Sequence, residues 1–282
     1  MNSPSRPATH LDKSEVLDGL FASWDAIDQL MTGLPDAQWK SPTALPGWCV
    51  HDVVAHTIGT ESMLSGVASP ELDVDVSTFS HVRNGIGELN ECWVQHFRGE
   101  TGDDVLTRFR DVTANRRVML TDMTEEIWNG VTVTPAGPDT YGRFMRVRTF
   151  DCWMHQQDVR HALSRPPSDA DLEGAASRLA LDEIAASMGF VVGKLGKAPD
   201  GARVAFELTG PMARTIRVAV DGRAAVVDEF AGAPTTVIRL DGLQFTRRCG
   251  GRPLGDDRPS DVEFEGDAEV GQRIVDHMAY VI

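Results

Sequence analysis

Apolar side chains recur at intervals of three and four through most of the chain up to Leu163, which is the spacing of amphipathic helices. The first predicted helix starts at Ser14, a suitable helix cap, and its apolar face contains Leu17, Leu20, Phe21, Trp24, Ile27, Leu30 and Met31. The same spacing predicts further helices over 50–64, 82–97, 105–123 and 144–163. One of the two middle segments, 82–97 or 105–123, is expected to be an accessory helix, so that the remaining four form a bundle.

Proline and glycine mark the connections between these segments. A long loop is predicted between residues 128 and 142, which contain Pro135, Gly137 and Pro138. Consecutive prolines at 166 and 167 end the last of the helices, and Ser168 is a suitable cap for another helix that runs to about Met188. We therefore predict one domain over 14–166 and a second domain over 167–282.

The pattern changes beyond Gly201 to short runs rich in β-branched residues, separated by glycine, proline and aspartate. These runs predict strands over 203–208, 215–220, 224–227 and 235–240, with a hairpin turn at Asp221-Gly222. Helical spacing returns in a last segment, 268–282. The predicted fold class is α+β, with a four-helix bundle followed by a smaller α/β domain.

The segment 150–163 contains the first candidate for chemistry. Asp151, His155 and Asp158 are separated by four and three residues, so a helix would place them on one face. An aspartate and a histidine one turn apart also occur as a solvated surface ion pair. The apolar neighbours favour a buried helix instead, and buried acids and imidazoles need a partner, for which a metal ion is suitable. Asp151 and His155 are therefore candidate metal ligands.

A third ligand is available in the second predicted helix, which follows a Pro-Gly turn. His56 lies on this helix one turn beyond Asp52. His51 is five residues from His56, which corresponds to about 140° around a helix, so the two are not expected to bind one ion together. The predicted ligand set is His56, Asp151 and His155.

Three segments carry a family resemblance: PGWCVHDVVAH at residues 46–56, D-x-x-x-H-x-x-D at 151–158, and RRCGGR at 247–252. In this order and at these separations they resemble the mycothiol-dependent maleylpyruvate isomerase family of the DinB-like superfamily, over nearly the whole chain from Val16. The resemblance implies a DinB-like metal-binding bundle and a sterol-carrier-like second domain. It also implies a divalent metal, expected to be zinc, on His56, Asp151 and His155, with mycothiol as thiol co-substrate. The sequence has Asp151 where the family pattern has glutamate.

Two further residues keep alternative interpretations. The resemblance places an active-site arginine near Arg252, where its guanidinium would bind a substrate carboxylate; the alternative is an arginine of a surface loop. Asp158 is expected either to orient His155 or to form a structural salt bridge with Arg148 or Arg160. Cys152 follows Asp151 directly and points about 100° away from it on a helix, so it is expected to pack in the bundle.

Composition limits the partners. The net charge of −15 over 282 residues argues against nucleic acid or an anionic membrane surface as a partner. Four widely spaced cysteines without a C-x-x-C pair indicate neither disulfides nor a cysteine zinc site. We expect no signal peptide, because residues 1–13 are polar and contain two prolines, and no run reaches the roughly 20 apolar residues of a membrane span. We expect a cytoplasmic protein with small-molecule partners, and the pattern does not indicate an oligomeric state.

Two functions are compatible with these features. The first is an enzyme in which the metal binds and activates the thiol, which then attacks a small electrophile. It would be a cis–trans isomerase if the adduct is transient and a thiol S-transferase if the adduct persists. The alternative is a non-catalytic ligand-binding protein with a structural metal. Catalysis requires an exchangeable position in the metal shell, whereas a structural site is closed.

Overall fold

The computed structural model describes residues 8–135, 137–256 and 258–281. The chain divides into two units, 1–166 and 167–282. The first is helical and the second combines a sheet with helices, which confirms the predicted fold class. Within the described ranges, no helix is long and apolar enough to cross a membrane.

Helices account for most of the first unit. In chain order they are α1 (Lys13–Met31), α2 (Asp36–Trp39), α3 (Val50–Leu64), α4 (Gly85–Phe97), α5 (Gly102–Asp122), α6 (Glu125–Trp128) and α7 (Tyr141–Ala162). The four long helices α1, α3, α5 and α7 pack together, and α4 packs on α3 as the accessory helix. Their facing sides bury the large apolar residues Leu20, Trp24, Phe109 and Trp153.

The start of α1 differs from the prediction. The cap is Asp12, whose carboxylate accepts a hydrogen bond from the backbone N–H of Glu15 at 3.0 Å. Ser14 lies inside the first turn, and its hydroxyl donates to Asp12 at 2.5 Å. The predicted serine cap was wrong because the helix begins one residue before Ser14, at Lys13, and an aspartate just before that residue is an equally good cap.

The predicted second helix has the bounds of α3. Pro46 and Gly47 form the turn before it, and Gly47 adopts a φ of +81°, a left-handed conformation that glycine tolerates best. At the first turn of α3, the carboxylate of Asp52 accepts a hydrogen bond from the backbone N–H of Cys49 at 2.9 Å. This turn and cap determine where α3 starts and therefore where His56 lies.

The predicted loop at 128–142 contains a β-hairpin instead. Strands β1 (Val131–Thr134) and β2 (Gly137–Thr140) pair antiparallel. Val131 and Val133 are 70% and 80% exposed, whereas Thr134 is buried, so the strand turns its apolar side chains to solvent. The prediction of a loop rested on the prolines and the glycine and was wrong here. α7 then begins at Tyr141, three residues earlier than predicted, with Thr140 as its cap.

The second unit starts with α8 (Asp169–Glu173), which Ser168 caps as predicted. Gly174 separates it from α9 (Ala175–Phe190), so the predicted single helix is broken, and a π-helical turn Val191–Leu195 follows. The remaining elements are β3 (Arg203–Thr209), β4 (Arg214–Asp221), β5 (Arg223–Val227), β6 (Thr236–Asp241), α10 (Gly242–Cys249), β7 (Glu263–Gly266) and α11 (Ala268–Asp276). The prediction lacked α10 and β7, and it extended the last helix beyond Asp276.

The strands form one sheet in the order β5-β4-β3-β6-β7. Neighbours are antiparallel except for β3 and β6, which run parallel. β4 and β5 are joined through Gly222, as the predicted hairpin requires. The core of this unit includes Phe206 on β3 and Phe245 on α10, whose ring centroids are 5.6 Å apart.

Candidate metal centre

The three predicted ligands lie together in the first unit. Each of His56, Asp151 and His155 offers one ligand atom, and these atoms are all within 4.8 Å of one another. His56 Nε2 is 3.3 Å from Asp151 Oδ2, and His155 Nε2 is 3.5 Å from Asp151 Oδ1. The two imidazole nitrogens therefore face opposite oxygens of one carboxylate.

Two helices supply these side chains. His56 comes from α3, and Asp151 and His155 come from one face of α7 at the predicted spacing of one turn. The imidazoles are buried, with 4% and 6% of His56 and His155 exposed. The Asp151 side chain is 30% exposed and gives the cluster an accessible side.

Asp158 lies next to His155, one turn further along α7. Its carboxylate is 3.2 Å from His155 Nδ1, and it is buried. A carboxylate on one ring nitrogen fixes the orientation of an imidazole and leaves the other nitrogen for a metal. Of the two arginines expected as alternative partners, Arg148 forms ion pairs with Glu61 and Asp151. His56 has no comparable support, since no described residue forms a hydrogen bond with its Nδ1.

A buried chain of charges, formed by the side chains of Arg148, Glu61 and Arg116, holds Asp151 in place. Arg148 Nη1 donates to Asp151 Oδ2 at 2.5 Å, and Arg148 Nη2 lies 2.9 Å from Glu61 Oε1. The other oxygen of Glu61 accepts from Arg116 Nε at 3.0 Å, and both Glu61 and Arg116 are fully buried. Arg116 also donates to the hydroxyl of Tyr141 at 3.1 Å. Sequence reasoning missed Glu61 and Arg116 because no local pattern links residues on α3, α5 and α7.

Burial and charge have opposite effects on the pKa values of this cluster. Burial alone would raise the pKa of Asp151, but Arg148, His155 and His56 hold it well below its usual range. Burial likewise opposes the charged form of His155, yet Asp151 and Asp158 raise its pKa to about 9. For His56 burial is the largest effect, and it lowers the pKa. Near neutral pH, the metal-free cluster thus has an ionised Asp151, a protonated His155 and a neutral His56.

An aromatic side chain borders the cluster. The ring centroid of Trp48 lies 5.2 Å from that of His56 and 6.2 Å from that of His155, and the two imidazoles are 4.9 Å apart. Trp48 belongs to the same Pro-Gly-Trp segment that leads into α3. Sequence reasoning did not assign it a role, although its position eight residues before a candidate ligand places it near the start of the same helix.

Cys152 packs inside the bundle, as predicted, and is fully buried. Burial raises the pKa of its thiol to about 12. Burial also raises the pKa of Cys49, Cys92 and Cys249, which are the other cysteines of the chain. None of the four side chains is therefore an activated thiolate near neutral pH.

Arg252 belongs to the second unit, in the segment that follows α10. The residue is partly exposed, and its Nη1 donates to the carbonyl oxygen of Gly250 at 2.6 Å. The structure thus brings together the three predicted metal ligands within one unit, while the predicted carboxylate-binding residue lies on the other.

The family models that match this chain, and two of the solved structures similar to it, concern one kind of protein. A model described as the mycothiol maleylpyruvate isomerase N-terminal domain matches residues 20–160, and a model of the C-terminal domain of the same family matches 178–273. A crystal structure of the mycothiol-dependent maleylpyruvate isomerase is similar to this chain with a TM-score of 0.59 and 16% identity, over 90% of this chain and 93% of that one. A histidine-to-alanine mutant of that enzyme gives a TM-score of 0.58, with the same identity and coverage. No curated protein sequence matches the chain.

Proposed function

Because the chain belongs to the mycothiol maleylpyruvate isomerase family, we propose that it is a metal-dependent enzyme that uses mycothiol as a co-substrate. The second substrate is a small electrophile, and the reaction is either a cis–trans isomerisation or an S-transfer. The observation that carries this proposal is the convergence of His56, Asp151 and His155 from two helices.

The chemistry of the three side chains fits a divalent metal such as zinc. Two imidazoles and one carboxylate are a usual set for a catalytic zinc site, in which three protein ligands leave a position for water or substrate. The Asp158 carboxylate beside His155 is the support that such ligands commonly have. Asp151 is one methylene shorter than glutamate, yet its two oxygens lie 3.3 and 3.5 Å from the two imidazoles, and its side chain is 30% exposed. When bound, the metal would lower the pKa of a coordinated thiol, so that the thiolate forms near neutral pH.

The pKa values of the cysteines favour a thiol co-substrate, and not a protein cysteine, as the nucleophile. All four have raised pKa values because they are buried to different degrees. A nucleophilic sulfur at neutral pH therefore has to come from a co-substrate, and mycothiol is the thiol for which the family is named.

The proposed reaction forms one carbon–sulfur bond. The thiolate adds to a carbon–carbon double bond conjugated with a carbonyl, and the displaced π electrons move towards the carbonyl oxygen to give an enolate. The former double bond is then free to rotate. If the sulfur leaves again, the thiol is regenerated and the product is the geometric isomer; if a proton is added to the enolate carbon, the product is a thioether. Arg252 is proposed to bind a carboxylate of the electrophile.

The first experiment is metal analysis by elemental mass spectrometry on natively purified protein. We expect about one divalent ion per chain, most of it absent from His56→Ala and His155→Ala. His96→Ala is the matched control, because His96 is an exposed histidine of the same unit and is not one of the three ligands. Wild-type protein is then assayed with maleylpyruvate, the substrate named for the structural relatives, with and without mycothiol.

The outcomes separate the two candidate functions. Metal-dependent turnover that also requires mycothiol would support the enzyme. Absence of metal from every sample, even after reconstitution with divalent ions, would contradict it and would favour a non-catalytic ligand-binding protein. Full metal retention in His155→Ala would contradict the ligand assignment.

A further inference from the structure

The segment before α3 fixes the backbone of Trp48. Its N–H donates to the carbonyl oxygen of Leu45 at 3.1 Å, and its carbonyl oxygen accepts from the hydroxyl of Thr43 at 2.8 Å. Gly47, the residue before it, has the left-handed backbone of a tight turn. The indole is thereby directed towards His56, on α3.

A buried carboxylate fixes the indole itself. The indole N–H of Trp48 donates to Glu91 Oε2 at 2.8 Å. Glu91 lies on α4, is fully buried, and also receives hydrogen bonds from Gln95 at 2.6 Å and from His81 at 3.0 Å, if Nε2 of His81 carries the proton. One oxygen of Glu91 is 3.8 Å from the guanidinium of Arg98. The indole ring is thus held at its nitrogen by an acceptor that other side chains hold in place.

Burial of the Glu91 carboxylate lowers the stability of the fold. Burying an ionised group is unfavourable unless several donors compensate for the lost water. An apolar residue at position 91 would serve the packing of α4 on α3 without this cost. The visible consequence of Glu91 is the fixed position of Trp48 beside the two imidazoles.

The exposed side of the metal centre includes Trp48. His56 and His155 are almost completely buried, whereas Trp48 and Asp151 are partly exposed. Asp151 and Trp48 are thus two partly exposed side chains in direct contact with the buried imidazoles. The flat, apolar face of an indole suits a planar, unsaturated group.

We propose that Trp48 is a substrate-binding residue whose indole stacks against the planar, conjugated part of the electrophile. Glu91 is the positioning residue that holds the ring in place. This inference rests on the proposed function for the class of substrate, because addition of a thiolate requires a conjugated double bond. The stacking makes Trp48 a specificity determinant, because a saturated analogue binds more weakly than a conjugated compound of the same length.

The test compares two carboxylic acids of equal length by calorimetry on the full chain as purified. Sorbate is planar and conjugated, whereas hexanoate is saturated and flexible. We expect sorbate to bind about three- to tenfold more tightly than hexanoate, from the usual strength of aromatic stacking. Trp48→Ala is expected to abolish this ratio, and Trp48→Phe to retain part of it. Trp93→Phe, which removes a buried indole of the same unit, is expected to leave the ratio unchanged.

The role of Glu91 is tested in the same way. Glu91→Gln keeps the volume and removes the charge, and we expect it to reduce the ratio at least about twofold while metal content stays unchanged. Glu88→Gln is the control, because Glu88 is an exposed acid of the same helix. An unchanged ratio in Glu91→Gln would remove the positioning role.

Equal affinities in wild type, absence of binding by either acid, or a ratio that survives in Trp48→Ala would overturn the assignment of Trp48. These titrations need neither thiol nor turnover. A protein that discriminates sorbate but shows no mycothiol-dependent reaction would therefore retain this inference and lose the proposed function.

Discussion

His155 Nδ1 and Asp158 Oδ2 are 3.2 Å apart on one face of α7, and both side chains are buried. Because Asp158 occupies one ring nitrogen, Nε2 of His155 is directed towards Asp151. We predict that Asp158→Ala weakens zinc binding by about 10- to 100-fold, as loss of such a support usually does. Competition with a chelator measures this directly.

Asp158→Asn serves as a graded control for that experiment, because its amide oxygen still accepts a hydrogen bond from the imidazole. Its zinc affinity is expected to lie between those of wild type and Asp158→Ala. Equal zinc affinity in all three proteins would show that Asp158 is only structural.

Metal uptake should depend on pH through His155. Burial disfavours its charged form, but Asp151 and Asp158 raise its pKa to about 9, so the metal must displace a proton at neutral pH. We therefore expect the apparent zinc affinity to rise by about tenfold per pH unit between about pH 7 and pH 8.5. Chelator competition at three pH values tests this, and a flat profile would contradict a protonated His155.

The same raised pKa has the opposite consequence for the metal-free protein. A group with a raised folded-state pKa stabilises the fold below its unfolded value of about 6.5, and this contribution disappears as the pH rises through about 9. Metal-free protein should therefore lose stability to urea between these values, and the loss should be absent from His155→Ala.

Glu61 is expected to be a major determinant of stability. It forms ion pairs with both Arg116 and Arg148 inside the bundle, where the two arginine side chains are 0% and 5% exposed. Glu61→Gln should lower the free energy of unfolding by about 3–5 kcal/mol, the usual result of removing one partner from a buried ion pair.

Asp28→Asn is the matched control for Glu61→Gln. Asp28 pairs with Arg110 at 2.5 Å, but on the protein surface. Its replacement should cost at most about 1 kcal/mol. Urea unfolding of both variants measures the difference, and similar losses in the two would contradict the role assigned to the buried chain of charges.

Protonation of Asp52 at low pH should destabilise the first turn of α3. Burial opposes ionisation of this carboxyl, but the His51 imidazole 3.9 Å away and hydrogen bonds from the backbone of Cys49 and from Arg98 lower its pKa to about 2. A lowered folded-state pKa gives stability above about pH 3.8 that disappears as the pH falls towards 2. We expect Asp52→Asn to lose about 1–2 kcal/mol at pH 7 and to differ little from wild type near pH 2. Urea titrations at the two pH values test the sign.

Replacement of Arg252 should weaken substrate binding and leave metal binding unchanged. If its guanidinium binds a carboxylate, Arg252→Ala should raise KM for an acidic electrophile by about tenfold or more, with unchanged metal content. Arg252→Lys keeps the charge and loses the two-pronged geometry, so it should recover part of the loss. Unchanged steady-state kinetics in Arg252→Ala would refute this role.

The sequence predicted those elements whose periodicity and boundaries agree. α3 has a Pro-Gly turn before it and a regular apolar face after it, and its bounds were predicted correctly. β1 was missed because its valines are exposed and its buried side is made of threonines, the reverse of the usual apolar-in pattern, and because prolines and a glycine follow it. α10 was missed because it begins immediately after β6, with Asp241 serving both as the last residue of the strand and as the helix cap.

By itself, the sequence determined which side chains of α7 share a face, because helical geometry alone places Asp151, His155 and Asp158 together. It also supplied His56 as a third candidate, through the turn that starts α3. Only the tertiary structure decided what surrounds these ligands. Glu61 and Arg148 are separated by 87 positions, and Trp48 and Glu91 by 43, so their contacts exist only once the helices have packed. Local periodicity specifies the face of a helix, whereas the partner of that face depends on packing between segments that are distant in sequence.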